Sequence, residues 1–295
     1  YGQLDDRIER LSAHLQASGI ARGDRVALLA CNGSEYFELQ HACGRIGAIA
    51  VLLNWRLTVP ELAYILGDCT PRLLIHDITF AETAAALQDR CALPALLALD
   101  GQDPASPYEQ ALAGARLPAR HEAVSHDDIS VLMYTSGTTG HPKGAIITHG
   151  MVFWNTVNVT FPCRIAIDAV QLVLLPLFHI GGLNSHADPL LHAGGTVVLQ
   201  RAFDPADQRG RLQRVAAPVG EAGAAEVPLH ADARLWIGRF DGATEAARLA
   251  LDPARKAYLF VARGALQVSG LRLAAGDALA VQDEAELLLG DGRQA

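Results

Sequence analysis

Tyr134-Thr135-Ser136-Gly137-Thr138-Thr139-Gly140-His141-Pro142-Lys143-Gly144 places four aliphatic hydroxyls, three glycines and one lysine between two apolar stretches. Residues 129–134 before it read as a buried strand, and 145–148 after it as a second, short one. A connection of this composition is suited to holding a polyphosphate. Gly137, Gly140 and Gly144 admit positive φ and let backbone N–H groups approach a ligand with no Cβ in the way. Successive N–H groups in such a turn form an anion-binding hollow. Ser136, Thr138 and Thr139 add neutral donors, Lys143 adds a mobile point charge, and Pro142 stiffens the exit. The run is not a Walker A loop, which has Gly before its lysine and Ser or Thr after it; here those places hold Pro142 and Gly144. The plain alternative is a polar turn joining two strands, which Gly-Thr-Thr-Gly alone would satisfy.

Upstream of the loop, Leu4, Ile8, Leu11 and Leu15 recur at helical spacing, with Gly19 where a C-terminal cap belongs. Residues 25–31 read as a strand, 34–47 as a helix and 48–53 as a strand. Thr58 is an N-cap, with Pro60 and Glu61 in the first turn of a helix running to Gly67. Residues 73–76, the helical 80–90 and 95–99 continue the alternation, the βαβα grammar of a mostly parallel sheet covered by helices. Residues 100–126 read as a surface connection with a short helix about 108–113. Downstream come a helix near 152–159, a strand at 170–175, a helix at 183–191 and a strand at 196–199. From Arg234 onward the grammar changes. Segments 235–240, 257–263, 266–268, 271–273, 278–281 and 286–289 are short and broken by Gly264, Gly270, Gly276 and Gly290, the pattern of an antiparallel sandwich or barrel. The fold class is therefore α/β followed by all-β, with domains at 1–205 and 206–295 and a polar junction near 205–212.

The phosphate-holding run resembles the signature loop of the adenylate-forming (AMP-binding) superfamily of acyl-CoA synthetases, luciferases and nonribosomal adenylation domains. Tyr1-Gly2-Gln3-Leu4 with Gly23-Asp24-Arg25-Val26-Ala27 is similar to that family's first helix and strand. Gly47-Ala48-Ile49-Ala50-Val51-Leu52-Leu53-Asn54, Leu175-Pro176-Leu177-Phe178-His179-Ile180-Gly181-Gly182, Gly194-Gly195-Thr196-Val197-Val198 and Phe203-Asp204-Pro205 extend the likeness over residues 1–205. The resemblance implies part of an acyl-CoA synthetase N-terminal domain. Its reaction is ATP-dependent activation of a small-molecule carboxylic acid to an acyl-adenylate and then acyl-CoA, with ATP, Mg2+ and coenzyme A as cofactors. Under it, Thr135, Ser136, Gly137, Thr138, Thr139, Gly140 and Lys143 bind the ATP phosphates, Thr138, Thr139 and Lys143 leading. His179 and Gly181 line the acyl pocket, and Tyr134 packs in the strand. His179 also has a plainer reading, a strand-end histidine satisfied by backbone. No catalytic residue is assigned and no metal ligands are named; His141, His149, His186 and His192 receive no role.

Asp232-Ala233-Arg234-Leu235, Leu251-Asp252-Pro253-Ala254-Arg255-Lys256-Ala257-Tyr258 and Ala275-Gly276-Asp277-Ala278 resemble the C-terminal β-barrel of bacterial pirin-like proteins, of the cupin class, over about residues 211–295. In those proteins the other barrel bears the metal, and His230, the one histidine after residue 205, cannot make a cluster of imidazole ligands.

The 295 residues leave room for two domains. Residues 1–205 hold 13 Arg/Lys against 20 Asp/Glu, and residues 206–295 hold 11 against 12, so the formal charge of −8 divides as −7 and −1. Neither part has the basic surface that nucleic acid or an anionic membrane demands. No apolar run approaches the ~18–20 residues of a spanning helix and no leader opens the chain, which predicts a soluble, cytoplasmic protein. The five scattered cysteines read as reduced core thiols. Both ends, Tyr1 and Gly292-Arg293-Gln294-Ala295, read as cut. After Phe203-Asp204-Pro205 the family resemblance implies a Tyr-Gly-x-Thr-Glu segment, a ribose-binding aspartate, a hinge and a catalytic lysine, and residues 206–295 match none of these. Each lost charge-stabilising group commonly costs about 10²–10³-fold in rate. The expectation is a chain that binds ATP without completing adenylation. The alternatives are a non-enzymatic pirin-like interaction module and a chimera of two truncated coding segments. Uncovered sheet edges also predict self-association.

Overall fold

The computed structural model describes residues 1–101, 103–135, 142–202, 210–218, 220–221, 227–229, 232–242 and 244–293. The chain divides into two compact units, Tyr1–Ala202 and Phe203–Ala295.

In the first unit, β1 (Arg25–Leu29), β2 (Ile49–Leu52), β3 (Leu73–Asp77), β4 (Leu96–Leu99), β5 (Ile129–Thr135) and β6 (Lys143–Thr148) form one sheet in the order β4-β3-β1-β2-β5-β6. All neighbours are parallel except β6, which runs antiparallel to β5 at the edge. Both faces are covered, so the strands are apolar on both sides. Val26 and Leu28 join a core with Leu11 and Leu15 of α1 (Gly2–Ala17) and Tyr36 and Leu39 of α2 (Glu35–Ile46). Ala27 and Leu29 face the other way, onto Leu62 and Ile65 of α3 (Val59–Cys69) and Leu87 of α4 (Ala81–Cys91). Thr58 and Glu61 form a reciprocal capping box at the start of α3, which runs two residues past Gly67.

The N-terminal helices are tied by charge as well as apolar packing. Arg7 of α1 grips Glu38 of α2, which is fully buried, and Glu109 of α5 (Pro107–Ala113), with nitrogen–oxygen distances of 2.6–3.2 Å. Tyr108 and Ser34 donate to the same Glu38 carboxylate. Then follow α6 (His149–Thr160) and a parallel pair, β7 (Val170–Val173) and β8 (Thr196–Leu199). Between these strands, α7 (Ile180–Gly182), a π-helical turn (Leu183–Ala187) and α8 (Asp188–Ala193) run without a break. The helix expected at 183–191 thus begins three residues earlier.

The second unit is built of strands. β9 (Leu212–Pro218), β10 (Val227–Leu229) and β11 (Leu235–Gly238) make one sheet, with β10 parallel to β9. β12 (Ala246–Ala250), β14 (Ala265–Val268), β15 (Leu271–Ala274) and β17 (Glu286–Arg293) make a second. β13 (Ala257–Phe260) and β16 (Ala278–Val281) pair separately. Phe240, Val261, Leu266, Val268 and Leu287 are the centre of its core. Antiparallel pairing dominates, as the glycine-broken spacing predicts, but among the described residues the hydrogen bonds leave three separate sheets rather than one closed barrel. Strands β9, β10 and β12 were not legible in the sequence. β9 carries Gln213 and Arg214, and β12 is Ala-Ala-Arg-Leu-Ala, so neither shows the β-branched, alternating pattern that marks a strand. Pairing with β11 and β17 makes them strands. Among the described residues no helix is long and apolar enough to cross a membrane.

Candidate functional site

The site lies at the carboxyl edge of the parallel sheet, beside the end of β5 and the segment that follows β2; ligands of open α/β sheets bind at that edge. The hairpin β5–β6 opens there. Its last pairs are Tyr134 opposite Gly144 and Thr135 opposite Lys143, so Thr135 and Lys143 project from the same face at the loop's mouth, both exposed. Ser136, Gly137, Thr138, Thr139 and Gly140 lie outside the described residues.

Tyr134 occupies the opposite face. Its ring covers Gly144 so closely that a Cβ there would come within 3.1 Å of it. Its hydroxyl donates to Asp68 of α3. Burial first, and then that bond to Asp68, push the phenol's pKa well above its usual value, so Tyr134 stays a neutral donor. It packs with Leu132 on the α3 side, the strand-packing role expected from the sequence.

His179 caps the helical run that starts at Ile180. Its Nδ1 accepts from the Gly181 N–H at 3.1 Å. An imidazole accepting at Nδ1 carries its proton on Nε2, which leaves Nε2–H as a donor for a ligand oxygen. The ring itself is exposed, while Phe178 before it is buried. Phe178 is wedged edge-on against Trp55 at 6.4 Å, and the Arg56 guanidinium lies over the Trp55 ring at 4.8 Å.

A cavity of about 890 Å³ joins these groups. Tyr134, Thr135 and Pro142 of the hairpin, Phe178 and His179, and Asn54 after β2 all lie on its wall, with Tyr64 and Arg90 farther along. Of the residues expected from sequence, the cavity brings together Thr135 and His179. Lys143 and Gly181 are not on its wall; Lys143 adjoins Pro142, which is, and the Gly181 N–H donates to His179, which is.

Asn32, three residues beyond β1, was missed in the sequence. It is buried, and its amide closes three backbone hydrogen bonds. Nδ2 donates to the carbonyls of Leu175 and Gln200 at 3.0 Å each, and Oδ1 accepts from the Leu177 N–H at 2.8 Å. These bonds take the place of the ladder that would have carried β7 to residue 175, and they hang the Phe178–His179 segment on β1. The available signal was position, a polar residue just past the carboxyl end of a strand. Asp77 at the end of β3, almost fully buried and paired with Arg201, fits the same rule.

A model of the AMP-binding enzyme family matches residues 1–231. The chain belongs to the AMP-binding enzyme family. A second model, the quercetinase C-terminal cupin domain, matches residues 215–295. The AMP-binding part is 44% identical over 209 residues to a feruloyl-CoA synthase of Amycolatopsis sp, a match covering 70% of this chain and 39% of that protein. It is 41% identical over 207 residues to an indoleacetate–CoA ligase of Aromatoleum aromaticum, covering 69% of this chain and 40% of the relative. Among solved structures, ATP-bound MatB from Rhodopseudomonas palustris matches with a TM-score of 0.63 and 31% identity, over 70% of this chain and 41% of that one. The N-terminal domain of FACL13 from Mycobacterium tuberculosis matches with a TM-score of 0.59 and 30% identity, over 70% of this chain and 51% of that one. The chain thus spans about two fifths of the length of these curated relatives.

Proposed function

We propose that the AMP-binding unit is the ATP-binding part of an acid–CoA ligase. The loop from Thr135 to Lys143 holds the β- and γ-phosphates, and His179 Nε2–H faces the carboxylate of the acid. The observation that carries this reading is the shared cavity, with the mouth of the phosphate loop on one wall and a histidine in a defined tautomer on another. Mg2+ bound with ATP would neutralise charge on the phosphates, leaving Thr135, Lys143 and the residues between them to orient them. Coenzyme A is the acyl acceptor that the family implies. The relatives named for ferulate and indoleacetate, together with Tyr64, Tyr134 and Phe178 on the cavity wall, favour an aromatic acid over a straight-chain one.

On this reading the 295-residue chain binds Mg-ATP and does not by itself accumulate acyl-adenylate. Isothermal titration of the whole chain with Mg-ATP, beside Lys143→Ala, tests it. One charge-assisted contact is worth about 1.5–3 kcal/mol, so the variant should bind roughly 10–150-fold more weakly. No heat from either protein sinks the proposal, and acyl-AMP made by the purified chain alone overturns the second half of it. Self-association is part of the same proposal. Trp154 of α6, Phe161 directly after it and Val170 of β7 are exposed, Phe161 to 88%, and a mass above the monomer in size-exclusion chromatography is the expected result.

A further inference from the structure

Asp188, the first residue of α8, is buried, and among the described residues no cation is bonded to it. Gln40 Nε2 donates to its Oδ2 at 3.2 Å, and Asn184 Nδ2 donates to the same oxygen at 2.8 Å. Among the described residues three oxygens of this cluster are left without a partner, Asp188 Oδ1, Gln40 Oε1 and Asn184 Oδ1, and each exposes less than 1 Å². A carboxyl and a carboxamide are planar two-armed groups. With one arm joined, Nε2–H to Oδ2, Asn184 Oδ1 lies outside the pair, and the atoms left over on the other arm are Asp188 Oδ1 and Gln40 Oε1. Both are acceptors if the carboxyl is ionised, an arrangement that strands two buried lone-pair groups. One proton resolves both.

We propose that Asp188 is carried as a neutral acid whose Oδ1 hydroxyl donates to Gln40 Oε1, closing a cyclic acid–amide pair that fastens α8 to α2. Burial pushes the carboxyl up to about 7, and only the bonds from Gln40 and Asn184 oppose it. Among the described residues no cationic side chain on the neighbouring elements is bonded to Asp188. Beside Asp188 a cavity of about 650 Å³ is lined by Asp5 of α1, His41 and Arg45 of α2, His121 and Glu122 ahead of β5, His149 of α6 and His192 of α8. Arg45 is taken by Asp5 and Glu9, and His121 by Glu9. Burial holds the His41 and His149 imidazoles below their usual range, and His192 packs edge-on to Phe153.

The pair sits where the helical run is least regular. Asn184 lies within the π-helical turn and Asp188 directly follows it, and Asn155 of α6 donates to the Asn184 carbonyl at 2.6 Å. Such turns recur at functional sites. Loss of the proton removes one of the bonds that hold α8 to α2, next to the turn that follows His179 and Gly181. That consequence for the site rests on the role proposed above for His179, whereas the proton itself does not.

The test is an infrared titration of the whole chain labelled with 13C only in aspartate carboxyls, which keeps Glu35 out of the signal. The expected result is a protonated-carboxyl band still present at pH 6, titrating near pH 7 and missing from Asp188→Asn. Absence of that band in the wild type at pH 6 overturns the proposal whether or not the variant folds. Unfolding equilibria give a second readout. The introduced amide can make both arms of the pair, so the ratio of wild-type to Asp188→Asn unfolding constants should rise tenfold per pH unit between about pH 4 and 7. A ratio that does not change with pH also overturns the proposal, and points to an ionised carboxylate or a buried water instead. An intact band beside a failed Mg-ATP titration would discard the functional reading and keep the pair.

Discussion

Asn32→Ala tests whether one buried amide positions the His179 segment. The substitution removes two donors and an acceptor, and it leaves the Leu175 and Gln200 carbonyls and the Leu177 N–H without their partners. Each buried group stranded in this way costs about 1–3 kcal/mol. Carbonyls tolerate under-satisfaction better than an N–H, so the expected total is about 3 kcal/mol, or roughly 10²-fold in the unfolding constant. Asn32→Asp is the sharper variant. Its Oδ1 can still accept from Leu177, but the introduced second oxygen faces two carbonyls where Nδ2 stood. An ionised carboxylate is expected to cost more than alanine there. The folded state must raise the pKa of that carboxyl, so the deficit should grow as pH rises through the raised value and shrink at low pH, where the acid can donate to one carbonyl. The assay is urea unfolding with amide hydrogen exchange read at residues 175–179. Protection should fall there first and most. A change under about 0.5 kcal/mol for Asn32→Ala, the range of ordinary surface substitutions, would refute the reasoning.

Three further outcomes follow from the same geometry. A Cβ at Gly182 would meet the Pro176 carbonyl oxygen at 2.3 Å, whereas one at Gly181 meets nothing closer than His179 Nδ1 at 3.4 Å; Gly182→Ala should therefore cost about 1–3 kcal/mol or more and Gly181→Ala far less, as denaturant midpoints will show. Arg7→Leu strands the buried Glu38 carboxylate and should cost about 3–5 kcal/mol. Arg10→Leu, which breaks only the exposed pair with Asp6, should leave the unfolding midpoint nearly unchanged in the same assay. Burial raises Glu35 to about 7, with the neighbouring Glu38 adding to the shift; a raised carboxyl stabilises the fold below its unfolded pKa and loses that contribution as pH climbs to about 7, so Glu35→Gln should flatten thermal stability between about pH 4.5 and 7.

Much of the first unit was legible because its strands are apolar on both faces and its helices on one, a pattern that survives in a single sequence. The N-cap at Thr58 and the two strands that flank the loop could be read locally, whereas the capping box and the antiparallel pairing came from the structure. Asn32 could not, because three of its partners, Leu175, Leu177 and Gln200, lie more than 140 positions away. Gln40 and Asp188 are 148 apart, and each reads as a surface residue by type. In the second unit, glycine spacing announced strands from residue 257 onward but not β9 or β12, whose residues have weak strand preference of their own.

The sequence by itself determined the layered α/β grammar, the change to short strands after Arg234, and the composition of a phosphate-holding loop, since each depends on residue type and local spacing. Only the tertiary structure decided that Thr135 and His179 share one cavity, that Asn32 hangs the histidine's segment on β1, and that Asp188 is buried against Gln40. Those facts are contacts between distant segments, and burial together with hydrogen-bond completion is a property of the packed chain rather than of any stretch of it.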